Sequence, residues 1–256
     1  MEQIYTIPVN EAFDAAAADP ALGCPLCALY NRLEDHELEL ILGASMMEPD
    51  VRIKTNREGF CRAHYDMMLA RKNRLGMALT LQSHLDELRG ETTVGAVFGD
   101  PAARAVQRIN SLVGSCYVCR KVEYHFGRMV ETIVFLWDSD ENFPGKLAAQ
   151  PCFCLPHYRL LLMEGRRRLS KKKYPDFVRA CAGVVEPYFD KLRNDIDWFC
   201  KKFDYRYDGE PWYDSKDAVE RAVKFLRSDL HAEPEKSKKP QNTTGIMKGG
   251  STNESE

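Results

Sequence analysis

The segment FCRAHY at residues 60–65 recurs, with small changes, as FCLPHY at residues 153–158. Each copy follows a CxxC motif, which is CPLC at residues 24–27 and CYVC at residues 116–119. The second cysteine of the CxxC motif and the cysteine of the following segment are separated by 33 residues in the first case and by 34 in the second. The same four cysteine and histidine positions therefore occur twice at nearly the same spacing.

This pattern predicts metal binding, because a tetrahedral zinc ion needs four nitrogen or sulfur donors and two short pairs of ligands supply them. We predict two structural Cys3His sites, and therefore two bound zinc ions, with each site closed within its own copy. The first predicted set is Cys24, Cys27, Cys61 and His64, and the second is Cys116, Cys119, Cys154 and His157. Exchange of ligands between the two copies is an alternative that the spacing leaves open.

Two other chemistries use the same residues. A Cys3His set can hold an iron-sulfur cluster, although separated pairs of ligands favour zinc. A CxxC motif at the start of a helix is also typical of thioredoxin-like redox proteins. That fold requires a strand before the motif, and residues 15–23 do not have the pattern of a strand.

The similarity between the copies extends beyond the ligands. Residues 59–70 and 152–163 share their Phe, Cys, His, Tyr and one Leu, and further positions are apolar in both. We therefore predict a single helical domain over residues 1–230, built from repeats at about 20–90 and 112–200. Residues 90–99 are the predicted boundary between the repeats.

The apolar residues recur with the period of an α-helix almost throughout, and no segment has the alternation of a strand. The predicted fold is all-α: two related helical-hairpin units, each held by a metal site, with further C-terminal helices. Residue 10 is the predicted N-cap of the first helix, residue 215 that of the last, and 138–151 is a predicted loop. The predicted helices span about 11–18, 24–41, 50–56, 61–72, 75–89, 101–113, 118–137, 154–169, 175–202 and 216–230.

The overall composition fits a globular protein with reduced cysteines. The chain has 256 residues, of which 44% are hydrophobic, and a formal net charge of −2. We expect a cytoplasmic protein, since no secretion signal or apolar run long enough to span a membrane is found, and thiols in that compartment stay reduced. Cys181 and Cys200 are predicted to be buried apolar residues. Residues 232–256 are polar and are predicted to be a disordered tail.

A basic segment lies close to the second FCxxH motif. Its six positive charges could contact phosphate groups or a nucleic acid, but the low net charge favours the simpler interpretation, a solvated connection between two helices. The six residues are Arg166, Arg167, Arg168, Lys171, Lys172 and Lys173.

An aromatic and charged segment precedes the last predicted helix. Its side chains could line a small-ligand pocket, and the simpler interpretation is that the rings pack over the helices while the charges pair locally. The residues concerned are Asp204, Tyr205, Arg206 and Trp212. His36, His84, His125 and His231 do not lie at the sequence spacing of a metal-ligand pair, and we assign no catalytic residue.

With these motifs, the chain resembles an uncharacterised family of bacterial proteins, mostly from Firmicutes of clostridial type. The resemblance covers residues 4–230, including the segment from 202 to 218, and implies no known activity. Our first hypothesis is a non-enzymatic zinc-binding scaffold that binds a protein or a small ligand. The second is a thiol-redox or metal-handling protein, and nucleic-acid binding through the basic segment is a third.

Overall fold

The computed structural model describes residues 3–94 and 100–231. The described residues form eleven α-helices and no strand, so the prediction of an all-α fold is confirmed. Short 3-10 turns lie at Gln3–Tyr5, Pro20–Leu22, Ala44–Met47, Tyr205–Tyr207 and Tyr213–Ser215. The α-helices are α1 (Thr6–Ala18), α2 (Pro25–Leu42), α3 (Pro49–Glu58), α4 (Arg62–Ala70), α5 (Arg74–Thr92), α6 (Ala103–Val113), α7 (Tyr117–Ser139), α8 (Phe143–Ala148), α9 (Leu155–Arg168), α10 (Tyr174–Lys201) and α11 (Ala218–Arg227).

Helices α2 and α7 pack along each other at the centre of the molecule. Leu29, near the start of α2, shares a buried cluster with Phe126 and Val130 in the middle of α7. Leu38, in the second half of α2, shares another buried cluster with Val118, at the start of α7. The two helices are therefore antiparallel, and the N-terminal end of each lies at the opposite end of the pair.

The larger hydrophobic cluster forms where α1, α8, α9 and α10 pack against α7. The aromatic rings at its centre are almost completely buried, and the ring centroids of Phe13 and Phe143 lie 5.1 Å apart. The smaller cluster joins the end of α2 to α4, α5 and the start of α7. Among the phenylalanine, tyrosine and tryptophan side chains that the structure describes, four have no more than 1% of their surface exposed, namely Phe13, Phe143, Phe153 and Phe177.

Three local predictions are wrong. Helix α1 begins at Thr6 instead of after Asn10, because proline is tolerated in the first turn and the buried positions already start at Val9. The predicted loop at 138–151 contains α8, since Pro144 lies in the first turn of this helix and the buried side chains of Phe143 and Leu147 lie on one face.

The last helix is shorter than predicted. It begins at Ala218, and the hydroxyl of Ser215 donates to the carbonyl oxygen of Trp212 at 2.6 Å, within the preceding turn, instead of capping the helix. Helix α5 continues to Thr92, into the predicted boundary segment, of which residues 95–99 lie outside the described ranges. The predicted disordered tail, 232–256, also lies outside them.

Among the described helices, none combines the length and the apolar content that a bilayer crossing requires.

Candidate metal centres

Four donor side chains meet where the N-terminal ends of α2 and α9 approach each other. Cys24 precedes the first residue of α2 and Cys27 lies in its first turn, while Cys154 and His157 have the same positions at the start of α9. The Nδ1 atom of His157 lies 3.6 Å from Sγ of Cys24, 3.4 Å from Sγ of Cys27 and 3.1 Å from Sγ of Cys154. The sulfurs of Cys27 and Cys154 are 3.7 Å apart. We call these four buried residues cluster 1.

A second group of the same composition forms where α4 and α7 begin. It consists of Cys61, His64, Cys116 and Cys119, and we call it cluster 2. The Nδ1 atom of His64 lies 3.0, 3.3 and 3.5 Å from the three sulfurs, in the order Cys61, Cys116, Cys119. Cys61 and Cys119 are 3.8 Å apart and are partly exposed, whereas His64 and Cys116 are buried.

The structure therefore brings the eight predicted ligands together in two groups of four, but it does not pair them as predicted. Each CxxC motif meets the FCxxH motif of the other predicted repeat, which is the exchanged arrangement that the spacing left open. The antiparallel packing of α2 and α7 is the physical reason, since it carries the two CxxC motifs to opposite ends of the helix pair.

Backbone contacts hold the exchanged arrangement at cluster 2. The amide of Tyr117 donates to the carbonyl oxygen of Gly59 at 3.0 Å, and the Ser115 hydroxyl donates to the carbonyl oxygen of Glu58 at 2.7 Å. Gly59 has φ of +61°, a conformation that favours glycine, and a Cβ atom there would lie 2.5 Å from Cδ1 of Leu112. These contacts fix the second CxxC motif beside the first FCxxH motif.

The donor spacing fits a single tetrahedral ion. With Zn–S near 2.3 Å and Zn–N near 2.0 Å, the edges of the tetrahedron are about 3.8 Å between two sulfurs and about 3.5 Å between sulfur and nitrogen. The sulfurs of Cys27 and Cys154 lie 3.7 Å apart in cluster 1, and those of Cys61 and Cys119 lie 3.8 Å apart in cluster 2. The sulfur–nitrogen distances lie between 3.0 and 3.6 Å. Each cluster could therefore hold one metal ion.

The pKa values of the three cysteines in cluster 1 are shifted in opposite directions. The pKa of Cys154 lies well below its ordinary value, mainly because the thiols of Cys24 and Cys27 hydrogen-bond to its sulfur. Burial raises the pKa of Cys24 well above its ordinary value, and the hydrogen bond with Cys154 is the main cause that raises the pKa of Cys27 to about 12. A thiolate held between two protonated thiols is a site where a divalent cation can take the place of the protons.

Cluster 2 also contains an ionised thiol. Burial raises the pKa of Cys116, but the hydrogen bond with His64 and the backbone amides of Cys61 and Cys119 outweigh it and lower the pKa to about 6. Burial lowers the pKa of His64, while hydrogen bonds with Cys116 and Glu34 raise it to about 10. The ring of His64 therefore favours its imidazolium form next to the thiolate of Cys116. A metal ion can replace the proton on Nδ1, the nitrogen that faces the sulfurs.

Two residues beyond the four ligands shape cluster 2, and neither is among the site residues predicted from the sequence. The carboxylate of Glu34 in α2, 1% exposed, accepts from Nε2 of His64 at 2.9 Å and from Nδ1 of His231 at 2.7 Å. Ligand histidines commonly donate their second N–H to a carboxylate in this way. A signal was present, because Glu34 lies seven residues after Cys27 and four before Leu38, on the buried face of α2.

A cavity of about 360 Å³ adjoins cluster 1. The sulfur-bearing residues Cys24, Cys27 and Cys154 form part of its wall together with Cys152, a buried cysteine outside the cluster. Burial raises the pKa of Cys152 to about 12. Helix α11 and the residue before it also line the cavity and contribute the charged residues Asp217, Glu220, Arg221 and Lys224.

Three of the four residues in the predicted ligand patch contact neighbouring side chains. Asp204 forms an ion pair with Arg206, Tyr205 is 83% exposed, and the ring of Trp212 packs against Phe199. These contacts fit local packing, which was the simpler interpretation, and a ligand at this patch stays a prediction.

Nearby acidic residues pair with much of the basic segment. Arg167 and Arg168 both form ion pairs with Glu131 and Glu164, and Lys173 pairs with Asp138. This local neutralisation favours the interpretation as a solvated connection between α9 and α10. The remaining members, Arg166, Lys171 and Lys172, are exposed.

All nine cysteines are free thiols. Cys181 is buried as predicted, but Cys200 is exposed, so the prediction for Cys200 is wrong. It lies near the C-terminal end of α10, outside the two hydrophobic clusters.

A protein-family model described as "Family of unknown function (DUF6062)" matches residues 1–233. No curated protein and no solved structure matches the chain.

Proposed function

Because the chain belongs to DUF6062, a family of unknown function, we propose its function from the two clusters: a zinc-binding helical scaffold that holds two structural ions. Its role is non-enzymatic, either binding or regulatory, its partner is a protein or a small ligand, and its compartment is the cytoplasm. Nucleic acid and membrane are not among the proposed partners.

One observation carries this proposal: in each of two groups of one histidine and three cysteines, the distances from the histidine nitrogen to the sulfurs and between two of the sulfurs are close to the edge lengths of a zinc-sized tetrahedron. Four protein donors leave no open coordination position, which is typical of structural zinc and not of catalytic zinc. The donor spacing favours a single ion over an iron-sulfur cluster, since a cluster attaches its ligands to different iron atoms. Free thiols fit a reducing compartment.

The exchanged ligands suggest what the ions stabilise. Each ion would join a helix of one predicted repeat to a helix of the other, so two ions would fasten the repeats together at both ends of the α2–α7 pair. We therefore propose one helical domain, residues 1–230, in which the repeats at about 20–90 and 112–200 depend on metal for their mutual packing.

The test is the metal content of the native protein. Elemental analysis and native mass spectrometry of the full chain should give two zinc ions per chain, and thiol titration of the folded protein should modify Cys200 before the cluster cysteines. Removal of the metal by a chelator should lower the melting temperature. Cys200→Ser is the control and should keep both ions. A preparation without metal, or chelation that leaves the melting temperature unchanged, contradicts the proposal, and a brown protein containing iron and sulfide would support the iron-sulfur alternative.

The cavity beside cluster 1 favours a second candidate function, metal handling or thiol-redox chemistry. A small thiol or a chelating ligand could reach the sulfurs of cluster 1 through this cavity, where Cys152 supplies an additional thiol. Transfer of zinc from the protein to a chromophoric chelator distinguishes the two functions. A structural site should release zinc over hours, whereas a metal-handling site should release one ion within seconds, more slowly after Cys152→Ser.

A further inference from the structure

The four residues after α11, Ser228–His231, reach both clusters, and we call them the C-terminal strap. At cluster 1, the hydroxyl oxygen of Ser228 lies 3.1 Å from the sulfur of Cys154, and the amide of Asp229 donates to the sulfur of Cys27 at 3.4 Å. The strap thus contacts two of the three cysteine sulfurs of cluster 1. Within the described part of the chain, the strap forms no hydrogen bond with the third cysteine, Cys24.

The same strap contacts cluster 2 through Glu34. His231 donates from Nδ1 to the carboxylate of Glu34, which also accepts from His64 of cluster 2. Between these two ends, the side-chain amide of Asn31 donates to the carbonyl oxygen of Asp229 at 2.7 Å. Cys27 and Glu34 are seven residues apart on α2, or about 10 Å along the helix axis, so four residues connect the surroundings of both clusters.

The conformation of the strap depends on these contacts. Ser228 has φ of +71° and His231 has φ of +61°, and residues with a side chain rarely adopt these values without compensating interactions. A sulfur bound to a metal carries negative charge, so it accepts hydrogen bonds from the Ser228 hydroxyl and the Asp229 amide more strongly than a neutral thiol does. Occupied clusters should therefore hold the strap, and with it the end of α11, against α2 and α9.

From these contacts we infer that the C-terminal strap is a metal-dependent latch that docks when the clusters are occupied and couples the two ions to each other. This inference rests on the proposed metal binding. Linkage requires the effect to be reciprocal: if metal stabilises the docked strap, the docked strap must increase metal affinity by the same factor. Loss of the ion from cluster 1 would release the strap and so weaken the hold of Glu34 on His64 at cluster 2.

Hydrogen exchange of the full chain tests the docking step. Cys24→Ser removes a cluster 1 ligand that the strap does not hydrogen-bond, and the zinc content of the variant is measured first. If one ion is lost, amide exchange in residues 228–231 should become at least about tenfold faster, while exchange in α5, which belongs to the other hydrophobic cluster, stays unchanged. Unchanged protection of the strap in a protein that has lost this ion overturns the latch and leaves the proposed zinc function intact. A protein that never contained metal would instead overturn the proposed function.

The reciprocal measurement does not depend on a ligand substitution. Ser228→Ala should keep two ions but bind the ion of cluster 1 several-fold more weakly in competition with a chromophoric chelator, and His231→Ala should do the same for the ion of cluster 2. Ser170→Ala and His36→Ala are matched controls outside the strap and should keep the wild-type affinities. Wild-type affinities in all four variants would overturn the latch even if Cys24→Ser fails to fold.

Discussion

Glu34 and His64 form a buried hydrogen bond of 2.9 Å that joins the middle of α2 to the first turn of α4. This bond engages Nε2 of the ring and leaves Nδ1 facing the three sulfurs of cluster 2. Since the partner of one ring nitrogen decides how the other is used, Glu34 sets the orientation of the only histidine in cluster 2.

Glu34→Gln should weaken metal binding at cluster 2 by about tenfold, because the neutral amide no longer supports the His64 N–H as a carboxylate does. Competition with a chelator of known affinity measures the change, which should be larger at cluster 2 than at cluster 1. Glu39→Gln is the matched control on the same helix, where the side chain is largely exposed. Equal affinities for the wild type and Glu34→Gln would contradict this role.

Paired cysteine substitutions distinguish the exchanged arrangement from sites closed within each repeat. In the structure, Cys24 and Cys154 belong to the same cluster and Cys61 belongs to the other. Cys24→Ser with Cys154→Ser should therefore leave one ion per chain, whereas Cys24→Ser with Cys61→Ser should leave none. Native mass spectrometry counts the ions, and the opposite result would mean that the ligands pair within each repeat.

Gly59→Ala should destabilise the protein, since the left-handed φ of +61° and the contact of the new methyl group with Leu112 both oppose a side chain. The expected loss in the free energy of unfolding is roughly 1–3 kcal/mol. Gly127→Ala, within α7, is the control, because a Cβ atom there meets nothing within 4 Å. Urea unfolding measures both, and a Gly59→Ala protein as stable as the wild type would show that the backbone at this turn adapts freely.

Lys202→Met should also destabilise the protein. The ammonium group of Lys202, mostly buried, donates to the carbonyl oxygens of Tyr207, Asp208 and Glu210 at 2.6, 3.2 and 2.7 Å. In the variant these three carbonyl oxygens lose their donor, which should lower the free energy of unfolding by roughly 1–3 kcal/mol. Thermal unfolding can detect a change of this size. Lys201→Met is the neighbouring control, since Lys201 is half exposed and forms a surface ion pair with Asp197. Similar melting temperatures for the two variants would show that solvent replaces the lysine.

Glu164→Gln tests whether the basic segment is neutralised locally. Burial raises the pKa of Glu164, but the adjacent Arg167 and Arg168 outweigh it, so the pKa is lowered. A carboxyl group with a lowered pKa stabilises the folded state above the pKa of the unfolded chain, near 4.3, and this stabilisation disappears as the pH falls through the folded-state pKa.

Glu164→Gln should therefore lower the free energy of unfolding by less than about 1 kcal/mol at pH 7, because Arg167 is exposed, and should not change it in strong acid. Urea unfolding at several pH values, with a chelator present throughout, measures the difference from the wild type. Glu141→Gln, at an exposed position, is the control. A difference that grows as the pH falls would reverse the predicted sign.

The helical class and the residues of the two clusters could be predicted from the sequence, because both depend on local spacing. Three residues separate Cys61 from His64, so one helical turn places both donors on the same side wherever the helix lies. Glu34 and His231 could not be identified in this way, since they lie 30 and 167 residues from His64 and meet it only after α2, α4 and the end of α11 have packed together.

The sequence alone determined the four short ligand pairs and the helices that begin at them, because the covalent chain sets the distance between residues three positions apart. Which pairs join into one cluster depended on the tertiary structure. More than 30 residues separate each CxxC motif from the next FCxxH motif, and a chain of that length can bring either partner into reach. The antiparallel packing of the apolar faces of α2 and α7 determines which CxxC motif shares a cluster with which FCxxH motif, because it places the two CxxC motifs at opposite ends of the helix pair.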